Sequence, residues 1–243
     1  MKLELVLRHW DMFAAGVWMT LQLTALSVAL GFLLALPSAL AMWRGTRWAR
    51  FARGYVYVFR GTPLLVQTYL IYYGLSQFDW MRASPFWVIL RDPWWCALIA
   101  FSLNSGAYAA EILRGAFQTM PKGELEGARA LGLSERQITW LILLPSSLRR
   151  ALPQYGNEVV FMLHGSVVAS VITLQDILGA GRTLNARYYV AYEGFLTAAA
   201  LYMALTFALV GLFRLAERRW LRHLAPREAA RAKRFDPFGA IRA

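Results

Sequence analysis

MFAAGVWMTLQLTALSVALGFLLALPSALAMW, residues Met12–Trp43, contains no Asp, Glu, Lys or Arg. An α-helix needs roughly 17–25 residues of this kind to cross about 30 Å of hydrocarbon. Four more charge-free runs follow: Gly61–Phe78, Pro93–Ala110, Val159–Gln175 and Gly194–Phe213. The second and fourth of the five runs lie at the short end and hold Gln67 and His164, but apolar flanks at Tyr55–Phe59 and Pro153–Asn157 extend both. The runs do not alternate apolar and polar residues as barrel strands do, and backbone groups in lipid must be satisfied within the segment. The sequence therefore predicts an all-α polytopic membrane protein of five transmembrane helices, at about residues 12–43, 55–78, 93–113, 154–175 and 194–213.

Composition agrees, since 58% apolar and 16% charged residues over 243 positions would be odd for a soluble protein. No internal repeat is visible, and a single domain over residues 1–243 is expected. The opening MKLELVLRHWDM mixes acids with bases before a charge-free stretch too long for a signal-peptide core, so no cleavable targeting segment is expected. The net charge of +12 is informative by its location. Lys and Arg concentrate in three blocks, Arg44 to Arg53, Arg114 to Arg150 and Arg214 to Arg242, while the expected outer segments hold two each: Lys2 and Arg8, Arg82 and Arg91, and Arg182 and Arg187. The positive-inside rule produces that alternation when the amino terminus lies outside and the carboxyl terminus inside. Basic character then reports topology, and no nucleic-acid partner is expected. The stretch from Arg214 to Arg234, which runs into a basic C-terminal tail over 226–243, adds charges that attract anionic headgroups. The single cysteine, Cys96, excludes an internal disulfide, and His9, His164 and His223 form no metal-ligand spacing.

The second basic block is patterned. Leu125, Ala128 and Leu131 recur at helical spacing within Glu124–Leu133, and Gly132 suits the left-handed residue that closes a helix. Ser134 with Gln137 then forms a capping box for a second helix running toward Pro145. Residues alone leave open whether this is a docking element or an ordinary connection.

Gly123-Glu124-Leu125-Glu126-Gly127-Ala128-Arg129-Ala130-Leu131-Gly132, with Ile142 and Leu144-Pro145 downstream, resembles the EAA segment of ABC importer permeases. Gly127 departs from the second motif residue, and Glu124 stands where the amino-acid branch often has Gln. Three more stretches are similar to polar-amino-acid permeases, in family order: Arg60-Gly61-Thr62-Pro63-Leu64-Leu65-Val66-Gln67, Ala107–Ala116 and Ala151–Glu158. Met162-Leu163-His164 and Leu212–Leu221 resemble the M-type subunits of histidine/lysine-arginine-ornithine and opine importers. His164-Gly165-Ser166-Val167-Val168 departs from the glutamine-type pattern, so the resemblance implies a basic amino acid or opine as substrate.

The resemblance further implies a type I importer permease fold in the bacterial inner membrane. It implies a coupling segment over about 120–150, a second permease (by habit of the M-type a different chain), two ATP-binding cassette subunits and a periplasmic binding protein. ATP and Mg would be bound by the ATPase partner. This chain has no phosphate-binding loop of the Gly-Lys type, because Lys2, Lys122 and Lys233 follow Met, Pro and Ala. It is therefore expected to carry no cofactor or metal and to be no enzyme. Glu126 and Arg129 would contact the ATPase through charge while Ala128 and Leu131 insert, with Gly132 closing the helix.

Ionisable groups at membrane depth are candidates for function, since burying a charge there costs several kcal/mol unless it is paired. Glu111 has Arg114 one turn on and Arg60 near the inner end of another helix, which reads first as a structural ion pair. Glu158 follows Pro153 and Gly156, where a helix break is expected, and a buried carboxylate suits a substrate ammonium or guanidinium; helix–helix hydrogen bonding is the other reading. Asn157, Asn104 between Ser102 and Ser105, and Gln67 with Thr68 complete the expected polar pocket. His164 reads as an interhelical hydrogen-bond donor before a proton relay. An ion-coupled secondary carrier is the alternative function, but it would need inverted repeats that five spans do not supply.

Overall fold

The computed structural model describes residues 3–221. The basic tail expected over 226–243 lies outside the described residues. The described residues form helices α1 (Leu3–Arg8), α2 (Trp10–Arg44), α3 (Ala49–Gly61), α4 (Leu64–Tyr69), α5 (Asp79–Arg82), α6 (Trp87–Leu90) and α7 (Pro93–Gln118). After these come α8 (Lys122–Ala130), α9 (Glu135–Gln137), α10 (Leu144–Gly165), α11 (Ile177–Tyr188) and α12 (Ala191–Trp220). Among the described residues, four helical runs are long and apolar enough to cross a membrane: Trp10–Arg44, Pro93–Gln118, Glu135–Ile172 and Ala191–Trp220.

The expected second span, 55–78, is not one helix. α3 begins at Ala49, so Gly54, Arg50 and Arg53 are helical, and only Gly45, left-handed at φ 67°, closes α2 at the Arg-rich turn. α3 then stops where Thr62 and Pro63 are both extended. The chain resumes as α4, a π-helical turn over Leu70–Gly74 and a 3-10 turn over Leu75–Gln77. Pro63 lacks the N–H that would have bonded the Phe59 carbonyl four residues back. Two side chains replace it. Gln67 Nε2 donates to Phe59 O at 2.9 Å and also reaches Thr62 O at 3.0 Å and Thr62 Oγ1 at 2.7 Å. From α7, Asn104 Nδ2 donates to the same Phe59 O at 3.2 Å and to Gln67 Oε1 at 3.1 Å.

Two further expectations about helix ends need correction. The helix opened by the Ser134–Gln137 capping box does not end at Pro145; it continues through a π-helical stretch, Ile138–Leu143, into α10. Pro145 sits in the first turn of α10, where a missing N–H is tolerated. Nor does Pro153 break the chain before Glu158, because α10 runs unbroken from Leu144 to Gly165. A 3-10 segment, Ser166–Ile172, then ends at Thr173 with φ 75°. The stretch between the last two expected spans holds α11, N-capped by Asp176, whose carboxylate accepts from Gly179 N at 2.7 Å.

α7 is the hub. Ala109, Ala110, Leu113 and Phe117 pack with Ala35 and Ala39 of α2 and Ala151 of α10, while Ala97, Ala100 and Phe101 pack with Leu23 and Met162. The run of alanines lets backbones approach closely, which is how helices associate in lipid. The closest point is at Gly31 and Gly106. A Cβ built on Gly106 would lie 3.0 Å from Gly31 O and 2.6 Å from the Tyr55 hydroxyl. That hydroxyl donates to Leu103 O at 2.6 Å, tying α3 to the same seam. α12 lies at the periphery and exposes Met203, Phe207, Leu212 and Leu215.

Gly106→Val is expected to destabilise the protein by about 1–3 kcal/mol through overpacking. Gly115→Ala, where nothing lies within 4 Å, should be neutral or stabilise by up to about 1 kcal/mol. Thermal unfolding in detergent micelles checks both. In the same assay Gln67→Leu should cost roughly 1–3 kcal/mol, because the Thr62 and Phe59 carbonyls lose a buried donor.

Candidate functional site

A cleft of about 610 Å³ opens where α10 faces the end of α3 and the middle of α7, lined among others by Arg60, Asn104, Tyr108, Glu111, Gln154, Asn157, Glu158 and Phe161. Helical periodicity brings these together: Asn104, Tyr108 and Glu111 lie on one face of α7, and Gln154, Asn157, Glu158 and Phe161 on one face of α10. Glu158 is 7% exposed, and its carboxylate has no hydrogen-bond partner among the described residues. A carboxylate in that position has acceptor capacity to spare.

The positive charge of the cleft comes from Arg60, in the last turn of α3. The sequence reading grouped it with Arg114 around Glu111 as a structural ion pair. In the structure Glu111 is held by two nitrogens of Arg114, one turn on, with Nε at 2.9 Å from Oε2 and Nη2 on Oε1. Arg60 Nη1 stands 4.0 Å from Glu111 Oε1, and its guanidinium lies 5.2 Å over the Tyr108 ring. Glu111 and Arg114 thus satisfy each other, and Arg60 is the looser member, 40% exposed toward the cleft. A second cavity, lined by Arg53, Tyr57, Arg60, Tyr108, Glu111, Arg114 and Gln118, continues past this cluster.

The other expected pocket residues divide. Asn104 and Asn157 line the cleft. Asn104 spends its amide hydrogens on Phe59 O and Gln67 Oε1, leaving its carbonyl oxygen as an acceptor. Gln67 and Thr68, expected in the pocket, do not line this cleft. Gln67 serves the helix break, and the buried Thr68 hydroxyl donates to Leu64 O of its own helix at 2.8 Å. Ser102 and Ser105 face α2, where Ser105 Cβ lies against Gly31. His164 Nε2 is 2.9 Å from Thr206 Oγ1 on α12. Because that hydroxyl already donates to Tyr202 O, the histidine is the donor.

At the other end of the bundle, Asp176 is fully buried and accepts from the Tyr202 hydroxyl at 2.9 Å as well as from Gly179 N. Burial raises its carboxyl above the ordinary Asp value, against the pull of these donors. Sequence reasoning missed this anchor; the Asp176–Gly179 cap spacing was its signal.

The expected coupling segment holds a short helix, α8, with a formed cap. Leu133 N donates to Ala128 O at 3.2 Å and Gly132 N to Arg129 O at 2.9 Å around Gly132 at φ 79°, which is the Schellman arrangement. Ala128, expected to insert into the ATPase, is buried against its own chain. Glu124 reaches Arg150 at 3.8 Å, holding α8 to the foot of α10. Glu126 is exposed, Arg129 Nε pairs with Glu135 at 2.8 Å, and Leu131 is 83% exposed at the cap.

Residues 27–222 match the family described as "Binding-protein-dependent transport system inner membrane component". The octopine transport system permease protein OccM of Rhizobium meliloti is 43% identical over 212 residues, covering 86% of each chain. The histidine/lysine/arginine/ornithine transport system permease protein HisM of Escherichia coli K12 is 40% identical over 213 residues, covering 87% of this chain and 90% of that one. A crystal structure of an amino acid ABC transporter with histidines superposes with a TM-score of 0.80 at 32% identity, covering 90% of this chain and 99% of that chain. The chain belongs to the binding-protein-dependent transport system inner membrane components: it is the permease subunit of an ABC importer with the type I fold, not itself a catalyst.

Proposed function

We propose that the chain carries basic amino acids or opines across the inner membrane by alternating access, with Glu158 as the seat of the substrate's cationic group. The observation that carries this reading is a nearly buried carboxylate without a hydrogen-bond partner among the described residues, facing Arg60 across a 610 Å³ cleft. A zwitterion with a cationic side chain needs both signs of charge. Glu158 takes the ammonium or guanidinium, Arg60 takes a carboxylate, and the Asn157 amide and Asn104 carbonyl add polar contacts. The relatives' names, octopine on one side and histidine, lysine, arginine and ornithine on the other, support the same class.

The whole chain, 1–243, acts as one permease domain. It crosses the membrane five times, amino terminus outside, with the broken α3–α4 run supplying the second crossing. It pairs with a second, paralogous permease over two ATPase subunits that bind ATP and Mg, and a periplasmic binding protein delivers substrate from above. α8 docks on an ATPase through Glu126, Arg129 and the exposed Leu131, while Ala128 and Leu125 fasten the helix to its own bundle. Closure of the ATPases then moves α8 and, through Glu124–Arg150, the foot of α10 that carries Glu158.

In vesicles reconstituted with the partner subunits and binding protein, Glu158→Gln should raise the half-saturating concentration of a cationic substrate at least about tenfold, some 1.4 kcal/mol. Basal ATP hydrolysis should be retained. Wild-type uptake by this variant would reject the assignment. Gly132→Val, forced to φ 79°, should uncouple hydrolysis from uptake, whereas Gly132→Asn, which tolerates that conformation, should retain most coupling. The ratio of substrate moved to ATP hydrolysed reads the difference.

A further inference from the structure

The cleft and the larger cavity beyond it, about 950 Å³, share three lining side chains: Arg60, Tyr108 and Glu111. On the cleft side of that group stand Asn104, Asn157 and Glu158. On the far side stand Arg53, near the start of α3, and Arg114 and Gln118, near the end of α7. Those are the helix ends that the proposed topology turns to the cytoplasm.

The two spaces are thus divided by side chains, and the three are not held equally. Glu111 is fixed by Arg114 on its own helix. Arg60 stands 4.0 Å from Glu111, at the outer limit of an ion pair, and a half-exposed pair of that kind contributes little. What locates its guanidinium is the Tyr108 ring, with the guanidinium carbon 5.2 Å from the ring centre. Arg60 also occupies the last turn of α3, beside the extended Thr62–Pro63 break, so a change of angle there moves this side chain directly.

Charge distinguishes the two spaces as well. The cleft offers a cation the Glu158 carboxylate. The far cavity presents Arg53, Arg60 and Arg114, with Glu111 the one acid among its described lining residues. A cationic side chain that enters it is not retained. Arg53 precedes Arg60 by seven residues, about two turns, on the same face of α3, and can receive the carboxylate that Arg60 releases.

We propose that the far cavity is the exit half of the substrate's path, and that Tyr108 is a positioning residue that holds Arg60 across the opening between the two spaces. This rests on passage of a cationic substrate through the cleft. Substrate crosses when Arg60 leaves the ring, and the opening closes when it returns.

Thiol labelling of the assembled complex tests the partition with no substrate present. Cys96, the one cysteine of the chain, is buried, and Cys96→Ser gives a clean background. Asn157→Cys then places a thiol in the cleft and Tyr57→Cys one in the far cavity. The complex is held without nucleotide in vesicles whose ATPase side faces a membrane-impermeant thiosulfonate, and mass spectrometry of this chain reads the rates. Tyr57→Cys should react fast in every variant, which also reports that the fold is intact, and Asn157→Cys much more slowly. Tyr108→Leu should speed labelling of Asn157→Cys roughly 2- to 30-fold, the range that loss of one cation–π contact spans. Arg60→Gln should do the same, whereas Tyr108→Phe, which keeps the ring face, should label at the original rate. Equal rates for Asn157→Cys and Tyr57→Cys in the otherwise unchanged chain would overturn the proposal. So would an unchanged rate in whichever of Tyr108→Leu and Arg60→Gln assembles, or a Tyr108→Phe rate as fast as that of Tyr108→Leu. Wild-type uptake by Glu158→Gln would reject the substrate assignment and leave these labelling rates as they are.

Discussion

Every backbone donor and acceptor in a membrane-embedded segment must find a partner inside the protein, and at Thr62–Pro63 that demand shapes the site. An extended dipeptide in the middle of a helical run strands the Phe59 and Thr62 carbonyls. Gln67 and Asn104 answer them from two directions, one from the resuming helix and one from α7. The break is thereby fixed to the hub helix. It directs the last turn of α3, with Arg60, along the face of α7 that carries Tyr108 and Glu111. Without the break, α3 and α4 would be one continuous rod, with no change of direction beside the cleft.

The same constraint explains why charge is distributed as it is. Glu111 and Arg114 lie one helical turn apart and neutralise each other on a single element, so their pairing does not depend on the position of a neighbouring helix. Arg60 and Glu158 come from different helices and are left incompletely partnered. A pair within one helix holds in every arrangement of the bundle. Charges on separate helices can be brought together or apart as the helices move, and a ligand can stand between them. This division separates structural from functional charge better than depth alone.

The apolar runs were legible because lipid imposes composition directly, and the Gly132 turn and the Ser134 capping box were legible because their hydrogen bonds are local. The hydrogen bonds of Asn104 and Gln67 to the helix break were not legible, because a polar residue at membrane depth looks the same from sequence whether it faces a ligand or a stranded carbonyl. The Phe59–Pro63 spacing held the missing information, but only the fold brings Asn104 within 3.2 Å of Phe59. Ala128 shows a second limit. Helical spacing groups it with Leu131, yet α8 ends at Ala130, so Leu131 leaves at the cap while Ala128 packs inward. Periodicity identifies a face and does not say whose surface covers it. α11 went unseen because its glycines and mixed polarity hide a packing face, although Gly181 meets Gly194 of α12 with a built Cβ only 2.9 Å from Gly194 O.

α3 carries the last step of the argument. Trp48, Phe51 and Tyr55 line an apolar groove together with Leu34 and Pro37 of α2, and Arg53, Tyr57 and Arg60, on other faces of the same thirteen residues and their cap, border the charged cavities. A single unbroken helix cannot move at one of these surfaces and stay fixed at the other. If alternating access tilts α3 about the Thr62–Pro63 break, the groove changes shape with the cleft. The helix break, which first answers a backbone requirement, then becomes the point about which both faces of α3 move together.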